Sequence, residues 1–215
     1  MADVDLSTLT ELPQRLANAL SKVCNENMSY QFADWTSLTT IPLINTSATI
    51  LMEGLFSNCA SLASIAQLDT HNVTKMSTMF INCTSLSSIP QLNTSSVTDM
   101  TQMFEGCTSL ESIPQLNTSN VNNMTQMFKG CSNLEGIPVL DTSSVTDMTQ
   151  MFEGCTSLTN ESLNNILQIC INASLIAPAW NRTLKYIGLT EAQAETCKTL
   201  SNYQAFTEAN WKTGY

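Results

Sequence analysis

The sequence predicts an α/β solenoid of about five 24-residue coils, each with a short strand and a short helix, closed by helical caps at both ends. Three observations carry that expectation. Cys59, Cys83, Cys107, Cys131 and Cys155 recur at a fixed step of 24 residues. Columns of Phe, Leu, Ile, Val and Met keep the same step. The stretch TSSVTDMTQMFEGCTSL is spelled twice, at Thr94–Leu110 and Thr142–Leu158, 48 positions apart. A constant period of this size marks a solenoid. Any unit of such a stack fits beside any other, so a duplicated segment leaves the fold undisturbed.

Residues 1–31 fall outside the period. Leu12, Leu16, Leu20 and Val23 share one helical face, with Pro13 near its start. This segment reads either as a helix capping the first coil or as an attachment and oligomerisation helix. It shows neither a basic n-region nor an apolar h-region, so no signal peptide is expected. The apolar runs are too short to span a bilayer. The expected location is a virion or the cytosol for a full-length product, and the cell surface for a trimmed one.

Residues 32–158 form the solenoid. Phe56, Phe80, Phe104, Phe128 and Phe152 make one inward column beside the cysteines, and Phe32 extends it backwards. Leu62 to Leu158, Ile41 to Ile137, Val73 to Val145 and Met76 to Met148 add further columns at the same step. Trp35 takes the cysteine place in the first, degenerate coil. In SVTDMTQMFEGC, Val97, Met100, Met103, Phe104 and Cys107 have helical spacing. Ser96 and Asp99 look like a capping box, and Gly106 like a C-terminal stop. In SLSSIPQLNT, Leu86 and Ile89 point inward from an extended segment, and Pro90 keeps the strand short. Asn93 opens an Asx-type turn.

The pattern I-P-x-L-[ND]-T-S-x-V-T-x-M-x-x-M-F-x-x-C-x-x-L runs through Ile89–Leu110, Ile113–Leu134 and Ile137–Leu158. It resembles the leucine-rich repeats of BspA-like surface proteins. The resemblance covers about 127 of the 215 residues. It implies a short leucine-rich-repeat solenoid with roles in adhesion and recognition at bacterial or phage surfaces. Those surface proteins usually carry an export signal or wall anchor, and none is visible here. A bacteriophage member, released by lysis, needs neither.

Residues 159–215 read as a helical C-terminal cap. NESLNNILQICINASL turns Leu163, Ile166, Leu167 and Cys170 inward. Thr190 caps a second helix, with Gln193 completing a capping box. NYQAFTEANWKTGY makes a third. The Trp211-x-x-Gly214-Tyr215 ending is similar to tails that accompany such repeats in gut-bacterial and phage proteins.

The net charge of −10 is unevenly spread. Residues 32–158 hold ten acids against Lys75 and Lys129. With no Lys/Arg cluster to displace counterions, no nucleic-acid partner is expected. The cysteines lack a C-x-x-C pair or a nearby histidine, so they read as a reduced core ladder ahead of disulfides or a metal site. His71, the single histidine, lies on a polar turn. Asp99 with Asp147, and Glu105 with Glu153, sit two coils apart in rows rather than across a cleft, which argues against a glycosidase pair. Trp180, Trp211 and Tyr215 are the only aromatics suited to sugar stacking, so a carbohydrate-active enzyme is a poor third reading.

No catalytic residue, cofactor or metal is therefore expected. The leading reading is a non-enzymatic recognition or adhesion scaffold, in a phage virion or on a bacterial surface. Its partners would be a protein or glycan at a cell surface, or other virion proteins. The expected contact columns are Gln67, Gln91, Gln115 and Val139, with Ser87, Glu111 and Glu135. A uniform glutamine row could equally be a solubilising ladder. The alternative is a self-assembling structural protein whose N-terminal helix drives homo-oligomerisation.

Overall fold

Equivalent residues of successive repeats lie side by side. Parallel bridges run from Asn27 to Leu51, Lys75, Asp99, Asn123 and Asp147, so the chain climbs one rung every 24 residues. This is a repeat solenoid. A computed structural model describes residues 26–41, 43–173 and 182–215. The predicted N-terminal helix (Leu12, Leu16, Leu20, Val23) and Trp180 lie outside the described residues.

One continuous core runs up the stack. The rings of Phe32, Phe56, Phe80, Phe104, Phe128 and Phe152 stack with neighbouring centroids 5.5 to 5.8 Å apart. Offset stacking of this kind adds about 0.5–1.5 kcal/mol per pair beyond area burial. The five repeat cysteines are buried and unbridged beside the rings. Each does more than fill space. The thiol of Cys83 donates to the carbonyl of Phe56 at 3.1 Å, and that of Cys107 to Phe80 at 3.1 Å. Cys59, Cys131 and Cys155 repeat the bond to Phe32, Phe104 and Phe128. The Met columns are buried too.

The helix expected on the second side of each coil is absent. From Met100 to Cys107 the backbone is a ribbon of tight turns. Its N–H groups alternate. Those of Met100, Gln102, Phe104 and Gly106 donate to Asn123, Thr125, Met127 and Lys129 of the next coil. Those of Met103, Glu105 and Cys107 donate three residues back within the coil. Gln102 and Gly106 take φ of +56° and +75°, left-handed values that interrupt a right-handed helix. So short a helix is marginal alone, whereas the ribbon bonds to its neighbour at every second residue. The expected capping box is also replaced. Asp99 Oδ1 accepts from the Thr101 N–H at 2.9 Å, an Asx turn that opens the ribbon. Gly106 is a turn residue, and a Cβ there would lie 2.4 Å from Asn82 Oδ1.

The strand side is short, as Pro90 predicts. Strand β1 (Thr40–Ile41) pairs in parallel with β2 (Ser64–Ile65). Further along, Ser112 bridges Gly136.

After the last repeat come helices α1 (Asn160–Ala173), α2 (Glu191–Cys197) and α3 (Tyr203–Glu208). Leu163, Ile166, Leu167 and Cys170 of α1 are buried. Both bonds of the Thr190–Gln193 capping box are present at α2. Helix α1 lies against the strand side of the last coil. Asn165 Nδ2 donates to the Ile137 carbonyl at 2.9 Å, and Thr142 Oγ1 to that of Ile169 at 2.5 Å. On the turn side, Gln150 and Phe152 donate to the carbonyls of Tyr186 and Ile187 at 2.9 and 2.8 Å. The C-terminal segment thus occupies the place of a following coil on both sides.

Candidate functional site

The extended segment of each coil alternates out and in. Gln91 and Asn93 are exposed, while Leu92 and Thr94 are buried. Stacked at about 4.8 Å per coil, these residues form rows along the solenoid. Among the described residues, no main-chain bond joins Ile89–Leu92 to the next coil. Pro90 has no N–H to give, and the glutamine side chain supplies the link. Gln91 Nε2 donates to the Gln115 carbonyl at 2.7 Å and to its own neighbour, Leu92, at 3.2 Å. Gln67 bonds to Gln91 and Leu68, and Gln115 to Val139 and Leu116, in the same way.

One residue row further on, buried threonines stitch the coils. Thr94 Oγ1 donates to the Asn117 carbonyl at 2.8 Å, and Thr118 to that of Asp141 at 2.8 Å. The exposed Asn/Asp row between them makes the Asx turns expected at Asn93. Asn93 Oδ1 accepts from the Ser95 N–H at 3.1 Å and from its hydroxyl at 2.8 Å. Asn45, Asn117 and Asp141 do the same to the N–H two residues on.

These rows line an open trough of about 760 Å³ that runs from Gln67 to Asn172. A second hollow of about 660 Å³ adjoins it through Gln67, Leu68 and Asp69 and extends it to Leu43, which is 70% exposed. Among the described residues neither Lys nor Arg lines either hollow. The hydrogen bond from His71, 2.6 Å from Asp69, holds that carboxyl below the usual aspartate range. Ser143 does the same for Asp141. Both are ionised at neutral pH.

The structure therefore gathers Gln67, Gln91, Gln115 and Val139 in one trough. Ser87, Glu111 and Glu135 are exposed as well, but outside its lining. They form their own column, in which the N–H of Glu135 donates to the Glu111 carbonyl at 2.9 Å. The Asn/Asp row of the trough was not among the expected contact columns. Its signal is the recurring [ND]-T-S, which also marks a turn.

Elsewhere the chemistry is muted. Among the described residues no three His, Cys, Asp or Glu side chains gather around a point that could hold a metal. No described helix is long and apolar enough to cross a membrane. Burial pushes the thiols of Cys59 and Cys155 up to about 12 and raises those between them too. Asp99 and Asp147 lie in one column with Asn123 between them. Each bonds to the threonine two residues on. Asp147 also accepts from the Tyr186 hydroxyl at 2.8 Å, which ties the last coil to the C-terminal segment.

The sequence matches a family described as "Mycoplasma protein of unknown function, DUF285" over residues 26–136 and 82–168. The chain belongs to the DUF285 family. This BspA-like membership agrees with the resemblance read from the repeat. The DUF285 chain is similar to a leucine-rich repeat protein from Bacteroides ovatus, with 26% identity and a TM-score of 0.45. That match covers 57% of the DUF285 chain and 30% of the Bacteroides protein, so the chain spans under a third of that relative. It is also similar to a leucine-rich repeat protein of T. pallidum, with 19% identity, a TM-score of 0.39, and coverage of 66% and 74% of the two chains. No curated protein matches the sequence.

Proposed function

We propose that this chain is a non-catalytic recognition scaffold, displayed on a bacterial surface or carried in a phage virion, that binds its partner along the trough. The observation that carries this reading is the trough itself. The Phe, Cys and Met columns hold the stack together from inside, yet the opposite face presents exposed Gln and Asn/Asp rows in register over several coils. Rigid repeated surfaces of this kind are what solenoids use to bind partners. Residues 159–215 serve as the cap of the stack in this reading, since helix α1 and Tyr186–Ile187 bond to the last coil where another coil would.

The test is a protein and glycan array probed with the full chain and with a Gln91→Arg/Gln115→Arg double variant. Binding lost in a variant that still folds supports the trough as the binding face. Equal binding by both proteins refutes that assignment.

A further inference from the structure

The glutamine row has an uneven hydrogen-bonding capacity. An amide side chain has two N–H donors and one oxygen that accepts. Gln67 spends both donors on the carbonyls of Leu68 and Gln91. Gln91 spends its pair on Leu92 and Gln115, and Gln115 on Leu116 and Val139. The three Oε1 atoms have no partner among the described residues. The row thus offers acceptors only, one per coil. Beside it, Asn93 and Asn117 keep their Nδ2 donors, with the carboxylates of Asp69 and Asp141 at either side.

We propose that the trough takes a linear, non-anionic glycan whose hydroxyl or amino groups donate into the glutamine Oε1 row. This names the ligand class for the recognition reading above and rests on it. Three features select that class. An acceptor-only row needs a donor-rich ligand. Two ionised aspartates, Asp141 and Asp69 beside His71, with no lysine or arginine among the described lining residues, disfavour an anionic chain. The third feature is register. Along an extended peptide the N–H groups on one edge recur every second residue, at roughly 6.6 Å, out of step with coils about 4.8 Å apart. A chain of sugar rings carries hydroxyls on every ring, so it meets each coil without a fixed register. Its hydroxyl oxygens can also accept from the Asn93 and Asn117 amides.

The experiment is a calorimetric titration of the full chain with three hexasaccharides: neutral β-linked glucose, glucosamine and galacturonate. The glucose and glucosamine chains bind and the galacturonate chain does not. A Gln91→Val/Gln115→Val double variant removes two acceptors at a column where Val139 already shows valine to fit. It binds about tenfold more weakly. Equal binding of the galacturonate chain, lost in a Gln91→Glu/Gln115→Glu variant whose added carboxylates repel it, overturns the donor-rich ligand but leaves the trough as a recognition face. Absence of binding by all three at millimolar concentration overturns the glycan, and a protein partner on the array would then carry the recognition reading alone. Should the valine variant fail to fold, the neutral-against-anionic comparison on the native chain decides.

Discussion

Thr49 stands in a column otherwise filled by Val73, Val97, Val121 and Val145. It is 1% exposed, and its hydroxyl has no partner among the described residues. A buried hydroxyl without a bond costs free energy that an isosteric methyl does not. Thr49→Val should therefore stabilise the protein by about 1 kcal/mol, read as a higher urea midpoint with an unchanged slope. No gain, or a loss, would show that the hydroxyl is satisfied. The cysteines teach the converse. From sequence they look like small apolar fillers, and their thiol bonds to the Phe carbonyls were not legible. The one available hint was that cysteine holds its place in five units where valine or alanine could supply the volume.

At the scale of the element, the repeating unit is a turn ribbon and an extended segment bonded to the next copy. Asn93 joined directly to Thr142 recreates the local sequence of Asn93–Thr94, because Thr142–Leu158 repeats Thr94–Leu110 residue for residue. Deleting residues 94–141 should thus give a folded, shorter solenoid. It would unfold cooperatively, with a denaturant slope reduced in proportion to the surface lost and with lower stability, since nearest-neighbour interfaces are removed. A deletion of half a unit should not fold. Circular dichroism and urea melts compare the two, and equal behaviour would refute independent, interchangeable coils.

For the whole molecule, the buried thiol column makes stability depend on alkaline pH. The ordinary thiol value is 9.0, and burial raises that of Cys59 to about 12. A raised folded-state value means that stability is fully present below the unfolded value and is lost as pH climbs toward the folded one. Each such thiol should cost about 1.4 kcal/mol per pH unit in that window. Urea midpoints measured from neutral pH upward should fall steeply above the ordinary thiol value. Cys107→Ala should be less stable at neutral pH yet fall less steeply. Parallel slopes for the two proteins would refute the assignment. The same whole-molecule view explains the charge distribution. None of the described acids is buried in the core: Asp99, Asp141 and Asp147 are spent on turns and on the C-terminal contact, and the exposed carboxylates leave the outer surface net negative.

The period of 24 residues determined the solenoid, its inward columns and their order, because stacking equivalent positions is the one arrangement that buries every column at once. The Thr190–Gln193 cap and the Asx turn at Asn93 were equally legible, being bonds between residues a few positions apart. Helical spacing at Met100–Cys107 misled, since turns that bury the same side chains share it. Only the tertiary structure decided between them, as the N–H groups of Met100, Gln102, Phe104 and Gly106 find their acceptors in the coil that follows. The glutamine row belongs to the same class: whether its amide faces a ligand or the next carbonyl depends on a neighbour that lies 24 residues away in sequence and in contact in space.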